Sequence, residues 1–170
     1  MFRGMRRTKQ ILTSKECIEI LDRGTSGILA VIGDNDYPYT IPLNYTYIDN
    51  KIFFHSAKAG HKIDAIVNNS KVSFCVIDQD QIIPEEYTSY FRSVIIFGKA
   101  RILENIIEIR NALEILTIKY SSSQTEEHRS HAIEKDLKMV CIIELSIEHL
   151  SGKEAIELVK IKKFHSTNAR

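Results

Sequence analysis

The sequence predicts a mainly β protein with flanking helices, an α+β domain built around a small barrel. Three observations lead there. Six runs of strand length and composition recur along the 170 residues. The first three are joined by turns of a few residues, which link antiparallel neighbours, whereas parallel strands need crossovers of a dozen residues or more. Helical periodicity is confined to a few segments and Gly-x-Gly-x-x-Gly is absent, which sets aside a dinucleotide-binding βαβ fold. A barrel this small is filled by its own side chains, so a ligand belongs on its outside or at a subunit interface.

The chain is 44% hydrophobic with three prolines, which suits one domain, residues 1–170, with its own core. Lys and Arg number 23 against 22 for Asp and Glu, a formal charge of +1. Nothing global draws the protein to nucleic acid or to an anionic membrane. No run approaches the ~18 apolar residues of a membrane span, and no apolar stretch follows the basic N-terminus. Cys17, Cys75 and Cys141 are far apart among apolar neighbours, without a CxxC. Buried reduced thiols point to a soluble protein of the reducing cytoplasm. Residues 1–10 and 161–170, with Lys162, Lys163 and Arg170 in the second, read as solvated tails.

In order along the chain, Thr13-Ser14-Lys15-Glu16 is a capping box, Leu12 and Cys17 suit a hydrophobic staple, and Cys17, Ile20 and Leu21 mark a buried helical face that ends at Gly24. Residues 27–32 form an apolar strand, and Gly33-Asp34-Asn35-Asp36 a turn. Residues 37–47 read as one extended segment. Pro38 and Pro42 inside it lack the N–H a ladder needs, so it must be an edge strand or be bulged. Asp49-Asn50 turns the chain into a third strand over residues 51–55.

That strand delivers the stretch His55-Ser56-Ala57-Lys58-Ala59-Gly60-His61-Lys62. Small residues let a ligand approach the backbone, free N–H groups at a helix start point outward, and the histidines, serine and lysine supply donors and positive charge. A phosphate fits such a seat; the plain alternative is a polar loop that caps a helix. Ile63, Ile66 and Val67 then have core-facing helical spacing, with Lys62, Asn68 and Asn69 outward. Residues 71–78 are a strand with Val72, Phe74 and Val76 on one face. Residues 79–89, polar and holding Pro84, read as a loop, either a lid, an oligomer contact or an irregular crossover. Residues 90–103 are a long strand in which Gly98 marks a bulge.

Ile109, Ala112, Leu113, Leu116 and Tyr120 define the clearest helix, ended by Ser121-Ser122-Ser123. Residues 124–138 are a solvated helix or a mobile loop, and residues 139–146 the last strand. Ser151-Gly152-Lys153 reads as a turn before a short amphipathic tail with Ile156, Leu158 and Val159.

Other chemistries fail on spacing. Gly60-His61-Lys62 is not a Walker loop, because His55 stands where its first glycine belongs and Ile63 where Ser or Thr belongs. His128-x-x-His131 could pair on a metal, but no further ligands complete a site, so no metal is expected. There is no nucleophile elbow, and His149 and His165 read as surface residues.

Five ordered blocks resemble a known family: Gly24-Thr25-Ser26-Gly27-Ile28-Leu29, Tyr37-Pro38-Tyr39-x-x-Pro42-Leu43-x-Tyr45, Phe53-Phe54-His55-Ser56-Ala57-Lys58-x-Gly60-His61-Lys62, Val72-Ser73-Phe74 and Tyr90-Phe91-Arg92-Ser93-Val94-Ile95-x-Phe97-Gly98-Lys99-Ala100. Together they look like the flavin-binding split-barrel proteins related to pyridoxamine 5′-phosphate oxidase, and within them the nitroimidazole-resistance (Nim) reductases. The resemblance implies a homodimeric split β-barrel with FMN at the subunit interface, FAD being possible. It sets Ile41, Pro42, Leu43 and Asn44 along the isoalloxazine, His55 and Ser56 at the Tyr-Thr of the oxidase pattern, and His61 and Lys62 on the phosphate. Ser93, followed by Val94, takes the place of a flavin-contacting Gln. His61 for Arg and Ser93 for Gln depart from the oxidase and agree with the Nim branch, which argues against oxidation of pyridoxamine phosphate. Such a protein takes electrons from NADH or NADPH and passes them to a nitroaromatic ring or another small oxidant, with His55 as the polar contact or proton donor to the acceptor. Tyr45, Tyr90 and Phe91 would wall the pocket. The same residues also suit a non-catalytic protein that stores or senses flavin or holds haem.

Overall fold

The computed structural model describes residues 1–137 and 139–168; Lys138, at the end of the polar segment, and Ala169 and Arg170 of the C-terminal tail lie outside the described residues. Helix α1 spans Ser14–Arg23, and its capping box is formed: Thr13 Oγ1 accepts from the Glu16 N–H at 3.2 Å while the Glu16 carboxylate accepts from the Thr13 N–H at 2.7 Å. Its buried face is Cys17, Ile20 and Leu21. Strand β1 (Ser26–Ile32) turns through Asn35 and Asp36, both at positive φ, into β2 (Pro38–Asn44). Strands β3 (Thr46–Ile48) and β4 (Lys51–Ala57) are joined by Asp49 and Asn50 at φ 48° and 61°, the paired left-handed conformation that matches strand twist in a tight hairpin.

Helix α2 spans His61–Asn68, and the long strands β5 (Lys71–Ile83) and β6 (Thr88–Ile102) follow. Helices α3 (Ile106–Tyr120) and α4 (Glu126–Asp136) precede β7 (Val140–Glu154), and α5 (Ile156–Asn168) ends the described chain. Asn105 caps α3 through its side chain, and Thr125 caps α4.

The strands form one antiparallel sheet in the order β2-β1-β5-β6-β7-β4-β3. Its two edges, β2 and β3, are consecutive in the chain and separated by Tyr45 alone. A sheet whose edges are one residue apart has to curl round on itself. The result is a barrel that lacks a ladder between its first and last strands, a split barrel. Pro38 and Pro42 lie on the edge strand β2, as the missing donors require.

Two apolar clusters follow from strand alternation. Ile52 and Phe54 of β4 face inward with Leu29, Phe74, Ile96 and Leu145, and α1 and α2 add Ile20, Leu21, Ile63 and Ile66. Phe53 and Ile142 face outward, and α3 and α4 cover them with Leu113, Leu116 and Ile133. The ladder between β6 and β7 shifts between Phe97 and Gly98. A Cβ on Gly98 would sit 2.1 Å from the Ser146 carbonyl oxygen, so this bulge admits only glycine.

The structure departs from the sequence at four places. The single extended segment expected over residues 37–47 is broken at Tyr45, where the chain passes from one sheet edge to the other. Val67 is 71% exposed and Ala65 is buried with Ile63 and Ile66, so the inward face of α2 is rotated about the helix axis from the one its apolar residues suggest. Residues 79–89 are no loop: β5 and β6 continue as a paired arm from Gln79↔Arg92 to Ile83↔Thr88, closed by Pro84–Glu86 and Tyr87 at φ 51°. The arm is solvated on both faces and so carries no apolar alternation. Ser151-Gly152-Lys153 makes no turn, because pairing with β6 (Val94↔Gly152, Ser93↔Lys153) keeps β7 extended. Residues 124–138 resolve as α4 over Glu126–Asp136.

One closure contact dominates. The Tyr120 hydroxyl accepts from the Tyr45 N–H at 2.9 Å and lies 2.5 Å from the Thr25 carbonyl oxygen and 2.6 Å from that of Tyr45. A chain of ion pairs ties α1, β5, β6, β7 and α5 together: Arg23 and Arg92 on Asp78 (2.7 and 3.1 Å), Arg92 and Lys162 on Glu154 (3.2 and 2.8 Å), and Lys162 on Glu16 (2.5 Å). Gln10, buried, donates to the Glu154 carbonyl at 2.8 Å, so both chain ends are tied to this corner. Burial works against ionisation of Glu16, but Lys162 and the hydrogen bonds from Thr13 outweigh it and bring the carboxyl down to about 2. Asp78 is likewise lowered: burial opposes, and the guanidinium groups of Arg23 and Arg92 prevail.

Tyr120→Phe is expected to cost about 1–3 kcal/mol, the penalty of a buried N–H left unpaired, read as a lower urea midpoint. An unchanged midpoint would mean that the hydroxyl does not hold the barrel closed. For carboxyls depressed in the folded state, the stabilisation is present above their unfolded pKa, 4.5 for Glu16, and is lost as pH falls toward about 2. Urea midpoints should therefore fall between pH 5 and pH 2, and Lys162→Met should make that fall shallower; an identical slope would remove Lys162 from the account.

Candidate functional site

Strand β4 sends neighbouring residues to opposite faces. His55 points outward, beside Ile142 of β7, into a cleft of about 350 Å³ under α3. Leu113, Leu116 and Val140 make its apolar wall, and Asn44, His55 and Tyr120 its polar edge. Thr117, Ser121 and Asp136 complete the lining. Asn44, at the end of β2, donates to the Thr25 carbonyl at 2.9 Å and is held where β2 approaches β4. Two residues expected at a cofactor thus meet in one cavity, although they belong to different strands.

Ser56 points the other way, opposite Cys141 on β7. It is 6% exposed, and its Oγ has no hydrogen-bond partner among the described residues. The Cys141 thiol beside it is committed to the Ala57 carbonyl at 3.2 Å. Burial pushes that thiol up, while the neighbouring Ser56 hydroxyl and, after it, the charges of Lys62 and Lys58 act in the opposite direction. The chain then reaches Gly60 at φ 128°, with open space where a Cβ would be, and α2 begins without a side-chain cap. An uncapped helix start, two lysines and a buried hydroxyl without a partner thus follow one another along this stretch.

The other expected residues lie elsewhere. His61 stacks on Tyr39 (centroids 4.2 Å apart, 12° between planes), with Nε2 3.4 Å from the Asp34 N–H and 3.7 Å from its carboxylate. These contacts hold it against the turn between β1 and β2. Ile41 and Leu43 pack against the barrel core, whereas Pro42 and Asn44 are exposed. Ser93 is on the outer face of β6, between Ile77 and Lys153, and Val94 is 0% exposed inside the barrel. Tyr45 too is buried in the barrel core.

The outer face around Ser93 is apolar. Ile28, Ile77 and Phe97 are exposed on it, and Phe2 stacks on Phe97 and His149 with centroids 5.5 and 4.6 Å away. Thr117, Ser121 and Asp136 were not anticipated from sequence. Nothing in the chain says that α3 crosses the outer side of β4, so Thr117 and Ser121 looked like solvated helix and loop residues. Among the described residues no three His, Cys, Asp or Glu side chains converge as metal ligands, and no helix is long and apolar enough to cross a membrane.

Comparison with known proteins bears on this geometry. The sequence profile of the family described as pyridoxamine 5′-phosphate oxidase matches residues 13–154. No curated protein matches the chain significantly. Among solved structures, a candidate 5-nitroimidazole antibiotic resistance protein from Bacteroides thetaiotaomicron is 19% identical, with a TM-score of 0.71 over 85% of this chain and 86% of that one. A FAD-binding protein from Mesorhizobium loti is 24% identical, with a TM-score of 0.60 over 86% and 97%. A FAD- and heme-binding protein from Mycobacterium smegmatis is 18% identical, with a TM-score of 0.69 over 86% and 73%. At these identities the likeness is one of fold. Because the profile spans the barrel from the cap of α1 to the end of β7, this chain belongs to the pyridoxamine 5′-phosphate oxidase family.

Proposed function

We propose that the protein is a flavin-dependent oxidoreductase, binding FMN as a homodimer and reducing nitroaromatic rings or other small oxidants. The observation that carries this is the end of β4. One residue, His55, opens onto a largely apolar cleft, and the next leads to an uncapped helix start with Lys58, Lys62 and the unpartnered Ser56 hydroxyl. A flavin mononucleotide needs such a pair of features, a slot for a flat ring and a seat for a phosphate dianion. Membership of the family and flavin-binding structural relatives support the same reading.

A bound flavin supplies two-electron chemistry at its ring, with NADH or NADPH as the transient donor. The chain's own residues do the rest. Lys62 and the first N–H groups of α2 hold the phosphate. Leu113, Leu116 and Val140 keep water from the ring, and Asn44 orients its polar edge. His55 sits at the mouth of the cleft, where its imidazole can deliver a proton to the acceptor. His61, held by Tyr39 and Asp34, shapes the loop and leaves the phosphate to Lys62. Ser93 belongs to the outer face with Ile28, Ile77 and Phe97; a second copy docked there shields these apolar groups and adds Ser93 to the first copy's site. Three free thiols suit a reducing cytoplasm.

Lys62→Ala is expected to weaken FMN binding about tenfold or more, since a hydrogen bond to a charged group contributes about 1.5–3 kcal/mol. Full flavin occupancy in that variant would count against the phosphate seat. Anaerobic NADPH titration followed by a nitroimidazole should bleach the flavin and then restore its colour with loss of the nitro absorbance. His55→Gln should slow the second phase about 10²-fold at unchanged flavin content. A flavin that never reduces would make the protein a non-catalytic carrier or sensor.

A further inference from the structure

Helix α4 is attached to the rest of the protein by little. Within Glu126–Asp136 only Ala132 and Ile133 are apolar, and only Ile133 is buried. It joins the outer cluster with Leu113, Leu116 and Ile142, and Leu137, just past the helix, is partly buried against the same cluster. Among the described residues, the polar side-chain contact between α4 and α3 is one ion pair, Arg110 to Glu134 at 2.6 Å. Exposed pairs contribute little, because water and salt screen them and two long side chains have to be ordered. Burial of a single isoleucine favours the packed position by roughly 10- to 10²-fold. A latch of that strength leaves an open state populated at roughly 0.1–10%.

The seam between the two helices is also underfilled. A cavity of about 360 Å³ lies between Thr117 and Ile118 of α3 and Arg129, Ser130 and Ile133 of α4. A smaller one, of about 90 Å³, separates Thr117 and Ser121 from His128 and Ala132. Side chains fill the space where helices pack closely; here Ile118, on the seam, is 56% exposed. Thr117 and Ser121 line the His55 cleft as well, so the three spaces meet at the last turn of α3. The N-terminal half of α4, which has no buried residue, runs along this meeting point.

We infer that α4 is a lid on the His55 cleft. It swings about its C-terminal end at Leu137, Ile133 is its latch on Leu113 and Leu116, and a planar ring enters and leaves along the seam past Thr117 and Ser121. That the ring is a flavin or a nitroaromatic acceptor rests on the oxidoreductase reading; the movement of α4 does not. A cleft with one hinged wall takes rings wider than its resting 350 Å³ would admit.

Amide hydrogen exchange of the full chain, followed by mass spectrometry, reads the movement without a ligand. Residues 126–136 are expected to exchange at least tenfold faster than residues 106–120, at a rate insensitive to low urea, as local opening requires. Exchange of α4 in step with α3 and the barrel overturns the lid. Entry is read with Leu116→Cys, a buried position lining the cleft, and N-phenylmaleimide as the probe, the labelled residue being located by mass spectrometry. In that background Ile133→Ala should speed labelling at residue 116 about tenfold or more, while Cys17, 2% exposed in the barrel core, stays unlabelled. Should the alanine variant fail to fold, Ile133→Val is expected to act in the same sense by about threefold. Labelling at residue 116 that does not respond, or that rises only together with Cys17, overturns the gate. Neither measurement needs a flavin, so a protein that binds none defeats the proposed function and leaves exchange and labelling to decide the lid.

Discussion

The barrel depends on how the chain crosses its own split at Tyr45. Strands β2 and β3 are the two edges of the sheet, and Tyr45 is the single residue between them. Its side chain is fully buried, edge-on to Phe74 with centroids 5.0 Å apart, and its hydroxyl donates to the Leu21 carbonyl at 2.9 Å. Its backbone has left both ladders, and a buried backbone group without a partner is costly. Tyr120, from α3, meets that need. The Lys119 ammonium lies 4.5 Å over the Tyr45 ring, and burial lowers its pKa, with Asp22 opposing. The end of α3 is thereby pinned to the split, and with it the wall of the cleft that contains His55.

Strand alternation explains why the site is not one patch. His55 and Ser56 are adjacent but face the outside and the inside of β4, and Ser93 and Val94 divide in the same way on β6. A ligand that uses both sides of β4 has to pass round its end, where Gly60 leaves the backbone open. Reach of this kind belongs to an elongated molecule with a ring at one end and an anion at the other. The outer face with Ser93, Ile28 and Phe97 is a separate surface, and only another chain could bring it to the cleft.

Charge is distributed unevenly in this nearly neutral protein. At the corner where α1, β5, β6, β7 and α5 meet, basic and acidic groups alternate along one chain of contacts, and each carboxylate has a cation. Among the described residues, Arg6, Arg7 and Lys153 beside it line a small cleft with Met5. A net charge of +1 conceals this contrast.

Local patterning determined a good deal. The capping box at Thr13, the apolar face of α1, the helical repeat of α3, the left-handed turn at Asp49 and Asn50, and the bulge at Gly98 each rest on chemistry within a few residues, and each is present. Pro38 and Pro42 announced an edge strand because a missing donor is visible in any sequence. The arm of residues 79–89 was hidden, since hydrogen bonding to another strand leaves no trace where neither face is buried, and the second half of β7 was hidden by the turn-like Ser151-Gly152-Lys153 within it. The cleft was half legible: Asn44 and His55 stood in recognisable motifs, but Thr117, Ser121 and Asp136 acquire their place only when α3 crosses β4. The direction of His61, toward Tyr39 and Asp34, was decided the same way, by a turn 27 residues upstream folding back against the start of α2. What the amino-acid sequence by itself determined was therefore each element with a local cause; which elements share a surface, and so which side chains can act on one ligand, only the closed barrel decided, because those contacts join residues far apart along the chain.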